Sequence, residues 1–244
     1  MKNCIVQYWI PASEYADPNY NNLLQQQPLH KISRKSFEQY SNKYDIDYIE
    51  INKKKINWKH PTFERFDLWL DDEWWEKYDQ IMYVDSDVFA LPWAPNIFDC
   101  YPKLHTFKYC HAPRIENAKS PKQQDVFYHG LLKETCTIEE VISKAFQTGV
   151  FILTKKSRDI MKPYIARFKE FKDHHDGEIL NWANIRSGVL TEKMDDWFNF
   201  KNAHFRGKPK IYFFHYIFLS TFFYQSIIIS LGAVSYTHLT LPTK

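Results

Sequence analysis

Three short apolar runs set the frame of this chain: CIVQYWI at residues 4–10, YIEI at 48–51 and IMYV at 81–84. None is long enough to cross a membrane, and the stretches between them carry helical periodicity. From near Ser33, the apolar residues Ile32, Phe37 and Tyr40 mark a helical stretch. The segment HPTFERFDLWLDDEWWEKYDQ then starts at Pro61, with Thr62 beside it, and lays Phe63, Phe66, Leu70 and Trp74 along one stripe. Strand, helix, strand, helix, strand in this order implies right-handed crossovers and a mainly parallel sheet. FQTGVFIL at 146–153 reads as a further buried strand, and 158–171 and 176–190 as helices, while the polar NYNNLLQQQP at 19–28 reads as a surface loop. No internal repeat and no Pro/Gly-rich linker divides the chain. The expectation is one α/β domain with an open sheet flanked by helices.

Glycine usage narrows the function. There are 6 glycines and the first is Gly130, so the N-terminal half has no Gly-rich phosphate loop of the Walker or dinucleotide-binding kind. A bound nucleotide would need its phosphates held in another way. The 32 basic and 29 acidic residues are interspersed without a basic block, which gives no reason to expect a nucleic-acid partner. Cys4, Cys100, Cys110 and Cys136 form no Cys-x-x-Cys pair and follow no secretory leader, so reduced thiols and a cytoplasmic location are expected.

The C-terminus differs in kind. Residues 216–234, YIFLSTFFYQSIIISLGAV, carry no charge over about the length of a membrane span. The following VSYTHLTLPTK resembles the translation of a sequencing adaptor. Residues 1–210 are therefore read as the folded domain, 211–232 as either a hydrophobic anchor or out-of-frame sequence, and 233–244 as adaptor read-through. Membrane association is expected only if that tail is genuine.

The chemistry is sought at paired aspartates. A chain this rich in Asp shows roughly one Asp-x-Asp by chance, so the pattern alone is weak. Two occur, Asp45-Ile46-Asp47 and Asp85-Ser86-Asp87. The first precedes its strand and reads as a solvated helix-to-strand turn. The second ends an apolar strand, at the carboxyl edge where open α/β sheets bind ligands. In an extended chain Asp85 and Asp87 point to one side and Ser86 to the other. Two converging carboxylates repel unless a cation sits between them, and Mn²⁺ or Mg²⁺ would keep coordination positions for phosphate oxygens. Such an ion also neutralises a departing diphosphate, which suits transfer of a sugar from a nucleotide-sugar. Ser86 is counted with the donor-binding group for its place between the aspartates, and Tyr8 and Ile10, ending the first strand, are candidates for contacting the base.

The run YDQIMYVDSDVFALPWAPNIFD resembles the metal-binding signature of GT-A-fold glycosyltransferases, in particular the glycogenin-like and bacterial galactosyltransferase-like group. Three more matches follow that family's order, over approximately residues 3–210. FERFDLW resembles the helix that brings a basic residue, here Arg65, to the donor. FQTGVFIL resembles the strand lining the donor-sugar pocket, with Gln147 where the family has Asn. HFRGKPK resembles the closing motif, which implies His204 as a third metal ligand and Gly207 with Lys208, or Lys210, against the diphosphate. The family's Asp-Gln-x-x-Leu-Asn segment appears as Asp176-Gly177-Glu178-Ile179-Leu180-Asn181. Its Gln is absent, which leaves open whether Asp176 or Glu178 takes that role beside the anomeric centre. The Trp that follows the family's closing lysine and proline is missing too. The resemblance implies a metal-dependent enzyme moving a hexose from a UDP-sugar to a glycan, protein or lipid acceptor with retention.

Two other classes compete. A haloacid-dehalogenase-type phosphatase also uses Asp-x-Asp and Mg²⁺, but it expects the pair on the first strand followed by Gly-Thr or a close variant, and here Val88-Phe89 follow. A non-enzymatic, membrane-associated binding module would make four co-ordered matches a coincidence.

Overall fold

The computed structural model describes residues 1–10, 27–58, 60–111, 128–195, 198 and 213–215. Six strands form the main sheet: β1 (Asn3–Tyr8), β2 (Asp47–Ile51), β3 (Gln80–Val84), β5 (Phe107–His111), β6 (Phe146–Thr154) and β7 (Thr191–Met194), in the order β2-β1-β3-β6-β5-β7. β1 runs parallel to both β2 and β3, and β5 runs parallel to β7. β6 is antiparallel to β3 and to β5. The sheet is thus open and mainly parallel, with β6 its one reversed strand.

Both faces are covered, which explains why the strands read as continuous apolar runs. Cys4, Val6, Ile81, Tyr83, Phe151 and Leu153 pack into one core, and Ile5, Met82, Val84, Val150 and Ile152 into the other. The period of two along each strand divides the layers. α1 (Gln27–Tyr44) lays Phe37 and Tyr40 on the second core. The first core is closed by a 3₁₀ turn at Pro61–Phe66, α2 (Asp67–Leu70) and α3 (Glu73–Lys77), and beyond them by α5 (Gly130–Thr135), α6 (Ile138–Lys144), α7 (Lys155–Ile165) and α8 (Asp176–Arg186). A short α4 (Ile97–Cys100) sits on the second core, under the Asn96 cap.

Several local expectations shift. α1 starts at Gln27, inside the expected surface loop and six residues before Ser33. The Ser33 hydroxyl is committed to a tertiary contact with the Val88 carbonyl, so this serine marks no helix start. The Pro61 segment begins as a 3₁₀ turn, with the His60 side chain accepting from the Thr62 N–H, and breaks at Asp71 before α3. The expected helix at 158–171 is α7 followed by a separate 3₁₀ turn at Phe168–Phe171. Asp45, exposed at φ 53°, lies in the turn between α1 and β2 as expected, whereas Asp47, also exposed, is already the first residue of β2 and pairs with Cys4. All four cysteines are free thiols.

A second, two-stranded sheet joins β4 (Val88–Ala90) to β8 (Phe213–His215) in antiparallel register. β8 lies within the stretch read as a tail, and Phe213 is fully buried against Phe37, Tyr40 and Phe198. Among the described residues no helix is long and apolar enough to cross a membrane. Residues 216–244 lie outside the described residues.

Candidate active site

The chain passes from β1 to β2 on one side and then returns to β3 on the other, so the topology switches direction between β1 and β3. In an open α/β sheet the loops leaving the carboxyl ends of two such strands diverge, which leaves a crevice between them. A cleft lies there. It is lined by Tyr8, Trp9 and Ile10 from the end of β1, by Pro61, Thr62 and Arg65 from the 3₁₀ turn, and by Tyr83, Asp85, Ser86 and Asp87 from the end of β3.

The aspartates stand on a turn. The Val88 N–H donates to the Asp85 carbonyl at 3.1 Å, closing a four-residue turn from Asp85 to Val88. Strand alternation therefore stops at Val84, and Ser86, expected to face away, lines the cleft with both neighbours. All three side chains are half-buried. The Asp85 N–H donates to the Gly149 carbonyl at 2.8 Å, which continues the β3–β6 ladder by one residue. The Tyr83 hydroxyl donates to Asp85 Oδ1 at 2.5 Å, and its ring is stacked on Phe151 at 4.8 Å. Burial, then the Asp85 carboxylate, pushes the Tyr83 hydroxyl well above its ordinary range, which keeps it a donor.

Arg65 is the hub of charge. It is buried, and one terminal nitrogen donates to the Thr148 carbonyl at 2.8 Å and lies 3.6 Å from Asp85 Oδ1. Its other terminal nitrogen is paired with Asp176 Oδ2. The guanidinium rests over the Tyr83 ring at 5.2 Å. Asp176 is the first residue of α8, and its Oδ1 accepts from the Thr62 hydroxyl at 2.8 Å. Three elements distant in sequence are thereby tied together around the turn.

The other expected residues distribute as follows. Tyr8 walls the cleft while its hydroxyl donates inward to Asp67 Oδ2 at 3.2 Å, and burial raises its pKa well above the usual value. Ile10 lines the cleft. Gln147 is half-buried on β6, beside Thr148. Glu178 is turned toward α5, where its Oε2 accepts from the Leu131 N–H at 3.2 Å and meets His174 Nδ1 at 3.0 Å. His204, Gly207, Lys208 and Lys210 lie outside the described residues.

Sequence reasoning missed Trp9, Tyr83 and Thr148. Trp9 stacks face to face on His30, with centroids 4.2 Å apart and planes 6° from parallel, and His30 Nε2 is 2.7 Å from Glu50 Oε2. An aromatic at the end of a buried strand carries no signal that separates this from core packing.

No family model matches the sequence, and no curated protein matches it. Its likeness is to solved structures. A glycosyltransferase involved in glycosylation of the major capsid of PBCV-1 superposes with a TM-score of 0.58 at 12% identity, over 94% of this chain and 100% of that one. The bifunctional glycosyltransferase WbbM superposes at 0.50 with 10% identity, over 89% of this chain and 46% of that one. The fold is that of the GT-A glycosyltransferases. Galactosyltransferase LgtC in complex with donor and acceptor sugar analogs is also similar, with a TM-score of 0.48 at 15% identity, over 88% of this chain and 87% of that one. The GT-A fold agrees with the architecture drawn from the βαβ order and from the signature at residues 78–99.

Proposed function

We propose that this protein is a metal-dependent glycosyltransferase that moves a hexose from a UDP-sugar to a glycan, protein or lipid acceptor, with retention at the anomeric carbon. The observation that carries the reading is the position of Asp85, Ser86 and Asp87 on one turn, in the cleft at the switch point between β1 and β3.

The charge in that cleft supports a cation. Among the lining residues two carboxylates face one guanidinium, and that guanidinium is already paired with the carboxylate of Asp176. A diphosphate alone would be repelled, whereas a hard divalent ion fits oxygen donors of this kind. The carboxylates of Asp85 and Asp87 are hard oxygen donors, which favours Mn²⁺ or Mg²⁺ over a softer metal. Asp85 and Asp87 would hold the ion, with His204 as the further ligand the resemblance implies. When bound, the ion would offset the charge that builds on the diphosphate as the glycosidic bond breaks.

The chain's own residues do the rest. Tyr83 and Arg65 both hold Asp85 at Oδ1, and Tyr8, Trp9 and Ile10 offer an aromatic and aliphatic wall to the base. The Thr148 carbonyl on β6 holds Arg65, and the resemblance assigns Gln147 on the same strand to the donor-sugar pocket. Both oxygens of Asp176 are engaged, by Thr62 and by Arg65, so its part is to orient the guanidinium. Lys208 and Gly207 are assigned to the diphosphate on resemblance.

A thermal-shift panel of nucleotide-sugars with and without Mn²⁺ tests this reading. With Mn²⁺ present, saturating UDP-sugar at about 100 times its Kd adds about 2.7 kcal/mol and raises Tm by roughly 5–10 °C. Neither component alone gives that shift. A response to a generic aryl phosphate in place of nucleotide-sugars would contradict the reading and favour a phosphatase.

A further inference from the structure

Gln7 is the one polar residue inside the apolar run of β1, and it is fully buried on the face toward α1. A buried carboxamide without partners costs about 1–3 kcal/mol for each group left unsatisfied, so its bonds account for its presence. Its amide nitrogen donates to the Asp85 carbonyl at 3.0 Å and to Ser33 Oγ at 2.8 Å. Its Oε1 accepts from the Tyr48 hydroxyl at 2.8 Å. Ser33, also fully buried, donates its own hydroxyl hydrogen bond to the Val88 carbonyl. Both amide hydrogens, the amide oxygen and the serine hydroxyl are thus used. The two backbone carbonyls they reach are the first and last of the four-residue turn that holds Asp85, Ser86 and Asp87.

We infer that Gln7, with Ser33 and Tyr48 behind it, is a positioning residue for the aspartate turn, fixing from beneath the backbone on which the donor-binding carboxylates stand. The surrounding side chains of β1, β3 and β4 on this face are apolar: Ile5, Met82, Val84, Val88 and Ala90. Within such a layer the network gives the turn a single hydrogen-bonded arrangement, because any other would strand a buried donor or acceptor. The consequence for a cation rests on the function proposed above. Outer-shell partners of metal ligands typically change affinity by about 10–100-fold when removed.

The test compares the full chain with Gln7→Met, which keeps length and loses every polar contact, and with Tyr48→Phe and Ser33→Ala, which each delete part of the network. Amide hydrogen exchange is followed on the peptide spanning residues 80–90, with the remaining peptides as internal reference. Exchange faster by about 10-fold or more, concentrated at 85–88, is expected in Gln7→Met, with smaller increases in the other two. Unchanged exchange there, or a rise spread evenly over β1 and β2, would overturn the inference. If Gln7→Met does not fold, wild-type exchange at 85–88 in both Tyr48→Phe and Ser33→Ala overturns it equally. In parallel, free Mn²⁺ is titrated by electron paramagnetic resonance, and folded Gln7→Met is expected to bind it about 10-fold more weakly. Wild-type protein that binds no Mn²⁺ would sink the metal role of the turn, and the exchange arm alone then decides the role of Gln7.

Discussion

Arg65 and Asp176 are joined across the first core, one from the 3₁₀ turn after β2 and the other from the start of α8. Breaking a buried pair strands the remaining charge, whereas removing both partners does not. Arg65→Met is therefore expected to cost about 3–5 kcal/mol by urea unfolding, and the double variant Arg65→Met with Asp176→Leu to recover a large part of that loss. Losses that simply add would contradict a direct pair. Tyr83→Phe is the milder change: about 1 kcal/mol of stability from one hydrogen bond, with a weaker grip on Asp85 read as reduced Mn²⁺ affinity. Arg65 was legible in the sequence because a basic residue sat inside a matched motif. Its neutralisation by Asp176 was not, since 111 residues separate the two and no local pattern announces a long-range pair.

The strands were legible for a physical reason. Both faces of β3 and of β6 from Gly149 onward are buried, so residues 81–84 and 150–153 form apolar runs, and the βαβ order then fixed the parallel part of the sheet. Helix starts were less legible, because serine serves equally as a cap and as a tertiary donor, and at Ser33 it is the latter. The aspartate turn was misjudged in geometry, since the Asp85–Val88 hydrogen bond ends the extended chain two residues earlier than alternation assumed. The loop before the 3₁₀ turn is held by a different device. Glu64 is fully buried and accepts the backbone N–H groups of Lys55 at 2.7 Å, Ile56 at 2.8 Å and Asn57 at 3.0 Å, with Asn57 at φ 50°. Glu64→Ala leaves three donors without that carboxylate and is expected to lower stability by roughly 3 kcal/mol. Thermal unfolding, with faster amide exchange at 55–57, measures it.

Across the whole sheet, the candidate site lies at the carboxyl edge and a costly buried group at the other. Lys108 on β5 is fully buried, donating to Gln80 Oε1 at 2.7 Å and to the Lys103 carbonyl at 2.5 Å, and burial lowers its pKa to about 8. Between that value and the ordinary 10.5, the unfolded chain holds a proton the folded protein has released, so this group makes stability rise with pH across the window and fall as pH drops through 8. Cys4, whose thiol burial pushes upward, acts in the opposite sense above pH 9, so the lysine is isolated by difference. Wild type is expected to gain about 1–2 kcal/mol on Lys108→Met between pH 7.5 and 9.5 in urea unfolding. A constant difference over that range would contradict a buried, proton-releasing lysine.

The central claim is that the turn at the end of β3 binds a nucleotide-sugar through a cation. Calorimetric titration of UDP into wild type and Asp87→Asn, each with and without Mn²⁺, tests it most directly. The account predicts tight binding for wild type with Mn²⁺ alone among the four, and a loss of at least about 10-fold for the folded variant. Equal UDP affinity with and without Mn²⁺, or in Asp87→Asn, would contradict it.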